Sequence, residues 1–277
     1  MKLSKRLSAV AAMVTPGMVL ADIGTDHAYI PIDLVERGVI PRAIAADVNP
    51  GPLKRAAEHI RTHGLADRIS TRLCDGLSAF EAGEVQSVVI AGMGGALTAQ
   101  ILQDGGHLLG DDLCEPSGEV CLRRGEPEAG EACQRTGVYA AKKECRQVQE
   151  LVLQPQSEIF RVRFWLWQNG WEIVQEDMVF EDGKYYPMMK ARHVETQWTA
   201  AAVSADLCRK LCLEFGPKLL EEKNPVLWTY LQKEKAAQER ILDKLSRQKS
   251  PAAVSRACEI REKLSLTEEA LKLFSQL

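Results

Sequence analysis

The stretch Leu20-Ala21-Asp22-Ile23-Gly24-Thr25-Asp26-His27-Ala28-Tyr29 decides the fold. An apolar run over residues 18–23 stops at a glycine, and apolar residues at helical spacing (Ile30, Ile32, Leu34, Val35) follow. A strand that turns sharply into a helix gathers backbone N–H groups and the positive end of a helix dipole at one point. Open α/β sheets bind nucleotide-like ligands at such turns. The alternation continues outward in both directions. A helical pattern (Leu7, Val10, Val14) precedes the stretch and ends at Pro16-Gly17. Residues 43–47 read as a second buried strand, and Asn49-Pro50 opens a helix that Gly64 closes as a left-handed cap. Residues 69–73 form a third strand ending in Asp75-Gly76. Residues 85–90 form a fourth, ending in Ala91-Gly92-Met93-Gly94-Gly95, with a helix through Leu102. This spacing predicts βαβ units and a parallel sheet. Right-handed crossovers then bring all four strand-end loops to one edge, which implies one cleft.

After Gly105 the pattern breaks, and residues 106–149 read as an unusual insertion. Cys114, Cys121, Cys133 and Cys145 within it lack the paired spacing of a zinc site. Eight cysteines without a CxxC pair suggest reduced thiols, and no metal is expected. A fifth strand starts at Glu150 and ends at Gln154-Pro155, and a helix carrying Phe160, Phe164, Trp165 and Leu166 follows it. Residues 171–179 and 184–191, separated by Glu181-Asp182-Gly183, predict a hairpin. A parallel sheet finished by an antiparallel hairpin edge is Rossmann-like and differs from the all-parallel dehydrogenase arrangement. Beyond about residue 200 the chain turns to long helical patterns with narrow apolar stripes, which pack as a helical hairpin or short coiled coil. The expected division is an α/β domain over residues 1–195 and an all-helical, coiled-coil-like domain over 196–277.

The chain has 277 residues, 45% of them apolar, and no apolar run of spanning length, so no membrane partner is expected. The basic start, Met1-Lys2-Leu3-Ser4-Lys5-Arg6, leads into no sustained apolar segment and does not read as a signal peptide. A cytoplasmic monomer is the expectation. The formal net charge of −3 conceals an asymmetry: residues 1–75 carry +2, residues 76–200 carry −8 and residues 201–277 carry +3. Basic ends around an acidic middle permit a polyanionic partner without requiring one.

The loops narrow the ligand. A dinucleotide site wants G-x-G-x-x-G, so that backbone can approach a pyrophosphate. Here only Gly24 is kept, and Asp26 stands at the second glycine position, where it would repel a pyrophosphate. S-adenosylmethionine (SAM) carries no phosphate, and its ammonium group suits Asp22 or Asp26. Asp47 is placed to accept from ribose hydroxyls and Asp75 from the adenine amino group. The candidate cofactor set is Asp22, Gly24, Asp26, His27, Asp47, Val48, Asp75, Gly76, Gly92 and Met93. Each aspartate taken alone is equally what a helix cap or turn would use; the set lifts the interpretation.

The segments ADIGTDHAYIPI, AADVNPGPLKRA, IAGMGG, LVLQPQSE and EDGKYYPM resemble the bacterial tRNA (adenine-N1)-methyltransferase family of the TrmK kind. The resemblance covers residues 3–105 and 150–245. It implies a class I methyltransferase fold with a C-terminal helical domain, SAM as cofactor, and methylation of adenosine 22 in tRNA. Residues 106–149 depart from it, since the family uses a shorter connection there. Adenine N1 has an in-plane lone pair and attacks a methyl group without prior deprotonation, so positioning and desolvation carry the catalysis. Acceptors near N6 and N1 then stabilise developing positive charge, and Asp26, the Gly92 carbonyl and Gln154 are candidates. The Watson–Crick edge must be turned out to react; Tyr29 or His27 is the candidate stacking partner, although Tyr29 packed on the sheet is the plainer reading. Lys5 and Arg6 are candidate RNA contacts. A small-molecule methyltransferase and a non-catalytic SAM-binding or protein-binding module are the alternatives.

Overall fold

The computed structural model describes residues 3–110, 148–193, 206–248 and 250–275. Helix α1 (Lys5–Met13) leads into β1 (Leu20–Ile23), α2 (Tyr29–Glu36), β2 (Ala43–Asp47), α3 (Pro50–Thr62) and β3 (Ile69–Leu73). Then come β4 (Ser87–Ala91), α4 (Gly95–Asp104), α5 (Gly106–Leu109), β5 (Glu150–Gln154), α6 (Ile159–Gln168), β6 (Trp171–Glu181) and β7 (Lys184–His193). Helices α7 (Asp206–Phe215), α8 (Pro217–Glu221), α9 (Pro225–Ser246) and α10 (Pro251–Ser275) complete the order. The sheet runs β3-β2-β1-β4-β5-β7-β6; the first five strands are parallel, and β7 is antiparallel to both its neighbours.

The central strands read as continuous apolar runs because both faces of the sheet are covered. Ala21 and Ile23, Val88 and Ile90, and Leu151 and Leu153 enter one core. Leu20, Val89 and Val152 point to the other side, into a core shared with α1, α2 and α3. The hairpin turn is tighter than the spacing suggested. Both strands run to the two-residue turn Asp182-Gly183, where both residues have positive φ (48° and 78°), as a type I′ turn requires. A third core joins Leu211, Phe215, Leu219, Leu227, Leu231 and Ala270 of the helical region to Met178 of β6.

The pattern does not break at Gly105 as expected. Residues 106–109 form the short helix α5, anchored by buried Leu108 and Leu109. Residues 111–147, with their four cysteines, and 194–205 lie outside the described residues. Among the described residues, Cys74, Cys208, Cys212 and Cys258 are free thiols. No group of three or more metal-ligating side chains gathers there, and no helix is long and apolar enough to cross a membrane.

Candidate functional site

The C-terminal ends of β1, β2, β3 and β4 open onto one cleft. Gly24 has φ 74°, and the N–H groups of Gly24 and Thr25 both donate to the Ala46 carbonyl (2.8 and 3.0 Å), tying the first loop to β2. The turn closes when Ala28, itself left-handed at φ 54°, donates its N–H to Thr25 Oγ1 (3.1 Å) and α2 begins. The side chain of Met93, from the loop after β4, lies against Gly24, where a Cβ would overlap its methyl group. Two distant loops therefore share the cleft floor, and a glycine at 24 is what lets them approach. Gly92 (φ 91°) and Gly76 (φ 54°) form the corresponding turns after β4 and β3.

Asp22 lies at the base of this cleft, 7% exposed. Burial pushes its carboxyl up to about 6; a bond from Thr25 opposes the shift, and the charge of Asp47 adds to it. No cationic side chain offsets it among the described residues. A desolvated carboxylate of this kind is a receptor for a cation. Asp47 uses Oδ1 to accept the N–H of Asn49 (2.7 Å), which fixes the loop into α3 and leaves its other oxygen for a ligand. Val48 beside it is 57% exposed, an apolar surface beside the cleft. Asp75 is exposed on the rim, and its backbone carbonyl starts the turn to Ser78. Asp22, Asp47 and Asp75 are the residues that could hold the amino-acid, ribose and adenine parts of SAM.

The structure separates the remaining candidates. Asp26 is 62% exposed and points to the rim, where Arg55 of α3 pairs with it and His27 Nε2 lies 3.3 Å from its other oxygen. Tyr29 stacks on His27 (centroids 5.0 Å apart, 10° between planes), and His59 leans on both. His27 Nδ1 is buried without a partner among the described residues. These three rings form a packed cluster between the first loop and α3.

Gln154 sits elsewhere and deeper. Its side chain is fully buried at the end of β5, its amide N–H donates to the Pro155 carbonyl (3.2 Å), and its Oε1 accepts from Arg6 Nη1 at 2.7 Å. The Arg6 guanidinium is 5.5 Å from the Tyr186 ring centre and borders Gly92. Arg6 is held there by its own helix. The free N–H groups of Lys5 and Arg6, at the start of α1, donate to Glu181 at the hairpin end (2.6 and 3.2 Å). Arg6, expected as an RNA contact, thus reaches the cleft floor, while Lys5 stays outside with Nζ at the Phe180 carbonyl (3.5 Å). The loops after β4 and β5 are laced by bonds from Gly92 N to the Gln154 carbonyl (3.0 Å) and from Gln156 N to the Met93 carbonyl (2.8 Å). Sequence reasoning missed Glu181, Tyr186, Gln156 and the pairing role of Arg55. The first two fall in the EDGKYYPM segment, which carried the signal without revealing what it touches.

Two family models match the chain, one described as a methyltransferase domain over residues 3–112 and one as tRNA (adenine(22)-N(1))-methyltransferase over residues 135–269. A tRNA (adenine(22)-N(1))-methyltransferase of Bacillus subtilis is 32% identical over 234 residues, covering 83% of this chain and 81% of that protein. The chain belongs to the tRNA (adenine(22)-N(1))-methyltransferase family. The crystal structure of the B. subtilis M1A22 tRNA methyltransferase superposes with a TM-score of 0.73 at 29% identity, covering 98% of this chain and 99% of that one. A Streptococcus pneumoniae protein solved in complex with S-adenosyl-L-methionine matches at 32% identity and a TM-score of 0.70, covering 98% of this chain and all of the other. The second family match starts at residue 135, inside the stretch expected to depart from the family, and runs beyond the expected end of the resemblance at 245.

Proposed function

We propose that this protein transfers a methyl group from SAM to N1 of adenosine 22 in tRNA. The observation that carries the proposal is the cleft itself. A buried carboxylate with no cationic partner among the described residues, Asp22, shares it with a fully buried amide, Gln154, in a chain of this methyltransferase family. SAM supplies a methyl group activated on a positively charged sulfur. Asp22 holds the cofactor's ammonium group, Asp47 accepts from its ribose, Val48 and Gly76 flank its adenine, and Gly24, Gly92 and Met93 form the floor.

On the substrate side, the side chain of Gln154, fully buried in the ligand-free protein, offers the remaining lone pair of Oε1 to the N6 amino group once the entering adenine displaces the side chains that cover it. Arg6 is a positioning residue. By donating to Oε1 it fixes which end of the amide faces the base and prevents a flip that would present N–H groups instead. The N1 lone pair then takes the methyl group as the carbon–sulfur bond breaks. Positive charge appears on the base, and an N6 proton leaves to solvent. An oriented acceptor beside N6 stabilises that charge without reorganising. Asp26 acts through the rim, fixing Arg55 and His27, and Tyr29 supports the first loop by packing.

We divide the chain into a methyltransferase domain over residues 1–195 and a helical, coiled-coil-like domain over 196–277. The helices' core around Leu219, Leu227 and Leu231, distinct from the two cores that flank the sheet although it takes in Met178 of β6, supports this division. A monomer acting in the cytoplasm, where tRNA is modified, completes the proposal. The test is transfer of radiolabelled methyl groups to unmodified tRNA and to the same tRNA with adenosine 22 replaced. Label on the first and none on the second is expected; SAM binding without transfer to any tRNA would refute the assignment.

A further inference from the structure

A notch of about 260 Å³ lies where the helical region meets the sheet. Phe160 of α6 and Tyr185 of β7 line one side, and Phe215, Leu227 and Tyr230 of α7 and α9 line the other. Tyr185 and Tyr230 meet edge to face with centroids 5.2 Å apart. Burial raises the Tyr230 hydroxyl to about 12, so it stays protonated and able to donate. Among the described residues neither phenol makes a hydrogen bond to protein, so two polar groups are free beside aromatic walls.

Gln156 connects the notch to the loops of the cleft: it lines the notch, and its side-chain amide nitrogen comes within 3.7 Å of the position a Cβ would take at Gly92. Cations surround its mouth. Lys233 Nζ lies 5.3 Å from the Tyr185 ring centre and 5.9 Å from that of Phe180, and Arg161 lies 5.9 Å from that of Phe160. Of the nearby carboxylates, Glu158 and Glu214 both line the notch, Glu158 paired with Arg161; Glu181 caps α1, and Glu234 is close enough to act on the Tyr230 hydroxyl. Phe160 is 46% exposed, which leaves its ring available to a ligand.

A flat, partly polar group carried on a polyanion answers this chemistry, and unpaired nucleotides stack on such aromatic surfaces. Turning the target adenosine out of its stack also strips its neighbour of a stacking partner. We propose that the notch takes up the base of a nucleotide adjacent to the methylated adenosine, stacked among Phe160, Tyr185 and Tyr230. The inference rests on the RNA-methylating function above and adds a second base site that both the sheet and the helical region build.

The test uses the full chain with Phe160→Ala and Tyr230→Phe. Base–aromatic stacking is worth enough to raise KM for tRNA about tenfold in Phe160→Ala, with kcat and SAM affinity unchanged within about twofold. Tyr230→Phe keeps the ring and raises KM less. tRNA carrying photoreactive 4-thiouridine on either side of the target should crosslink to peptides containing Phe160, Tyr185 or Tyr230. An active wild type with unchanged KM in both variants, or crosslinks that map only elsewhere, overturns the notch assignment. A wild type that binds SAM but methylates no tRNA refutes the underlying function and the notch assignment with it.

Discussion

Replacing Asp22 with asparagine tests the cleft at its base, because one carboxylate governs both stability and cofactor affinity with opposite signs. In the folded, ligand-free protein, burial raises its carboxyl from 3.8 to about 6. Below about pH 4 the group is protonated in folded and unfolded chains alike, and nothing is lost. As pH rises through the window from about 4 to 6, the unfolded chain gives up the proton first, so the folded state binds more protons and stability falls. Above about 6 the deficit is complete. At about 1.4 kcal/mol per pKa unit, a shift of roughly two units amounts to ~3 kcal/mol. Asp22→Asn removes this deficit. The ligand-free variant should therefore melt higher than wild type at pH 8, on the order of 5–10 °C, and show no such gain at pH 4. Cofactor binding should move the other way. A bound ammonium group favours the ionised carboxylate, so SAM affinity of the wild type rises with pH through about 6. The variant loses that dependence and binds roughly 10–100-fold more weakly at pH 8. Thermal melts from pH 4 to 8 and calorimetric titration with SAM measure both. A variant less stable than wild type at pH 8, or one that binds SAM equally well, would refute the argument.

Other substitutions test separate links. Arg6→Met keeps the side-chain length but releases the Gln154 amide, and should lower kcat about 10–100-fold with SAM affinity unchanged. Single-turnover transfer checks this, and a rise in tRNA KM alone would instead make Arg6 a phosphate contact. Gly95→Ala would set a Cβ 2.8 Å from the Glu158 carbonyl carbon and nearer still to the Ser157 and Glu158 carbonyl oxygens. It should cost about 1–3 kcal/mol in denaturant unfolding. Arg163→Met strips the partner from Glu176, a fully buried carboxylate that Arg163 Nε meets at 2.9 Å and that also accepts from Lys218 N (2.9 Å). A loss of about 3–5 kcal/mol is expected, with α7 and α8 cleaved first in limited proteolysis. Asp47→Ala should weaken SAM binding in calorimetry by about 10-fold or more while leaving the fold intact.

The sheet was largely legible because burial on two faces writes itself into composition. The strand at 43–47 follows from a local apolar run and the left-handed cap at Gly64 from turn chemistry, whereas the mostly exposed edge strand at 69–73 follows from its place in the strand–helix alternation. The order of the hairpin strands was not legible from their proximity in sequence. Strand β7, which contains Pro187, lies inside β6, although a proline argues for a sheet edge. The register resolves the conflict. β5 pairs with β7 only from Met189 to Arg192, so Pro187 lies beyond the end of β5, where that side of the ladder asks for no donor.

The floor of the proposed site was harder to read for a related reason. Arg6 meets Gln154 across 148 positions, and Glu181 caps a helix 176 positions before it; neither pairing leaves a periodicity. Asp26 shows the limit of arguing from a displaced motif. Its place at the second glycine of a dinucleotide fingerprint suggested an acid facing the ligand. The turn, however, is completed one residue earlier by Thr25 and two later by Ala28, and with those two turned inward Asp26 points out to Arg55. The acid we assign to the ligand is Asp22, still on the strand. There, burial, with the Asp47 charge adding to it, makes the carboxylate costly to ionise, and a cationic ligand reverses that cost. A rim aspartate already paired with arginine has no such asymmetry, which is why the cofactor's charge is assigned to Asp22 and the rim geometry to Asp26.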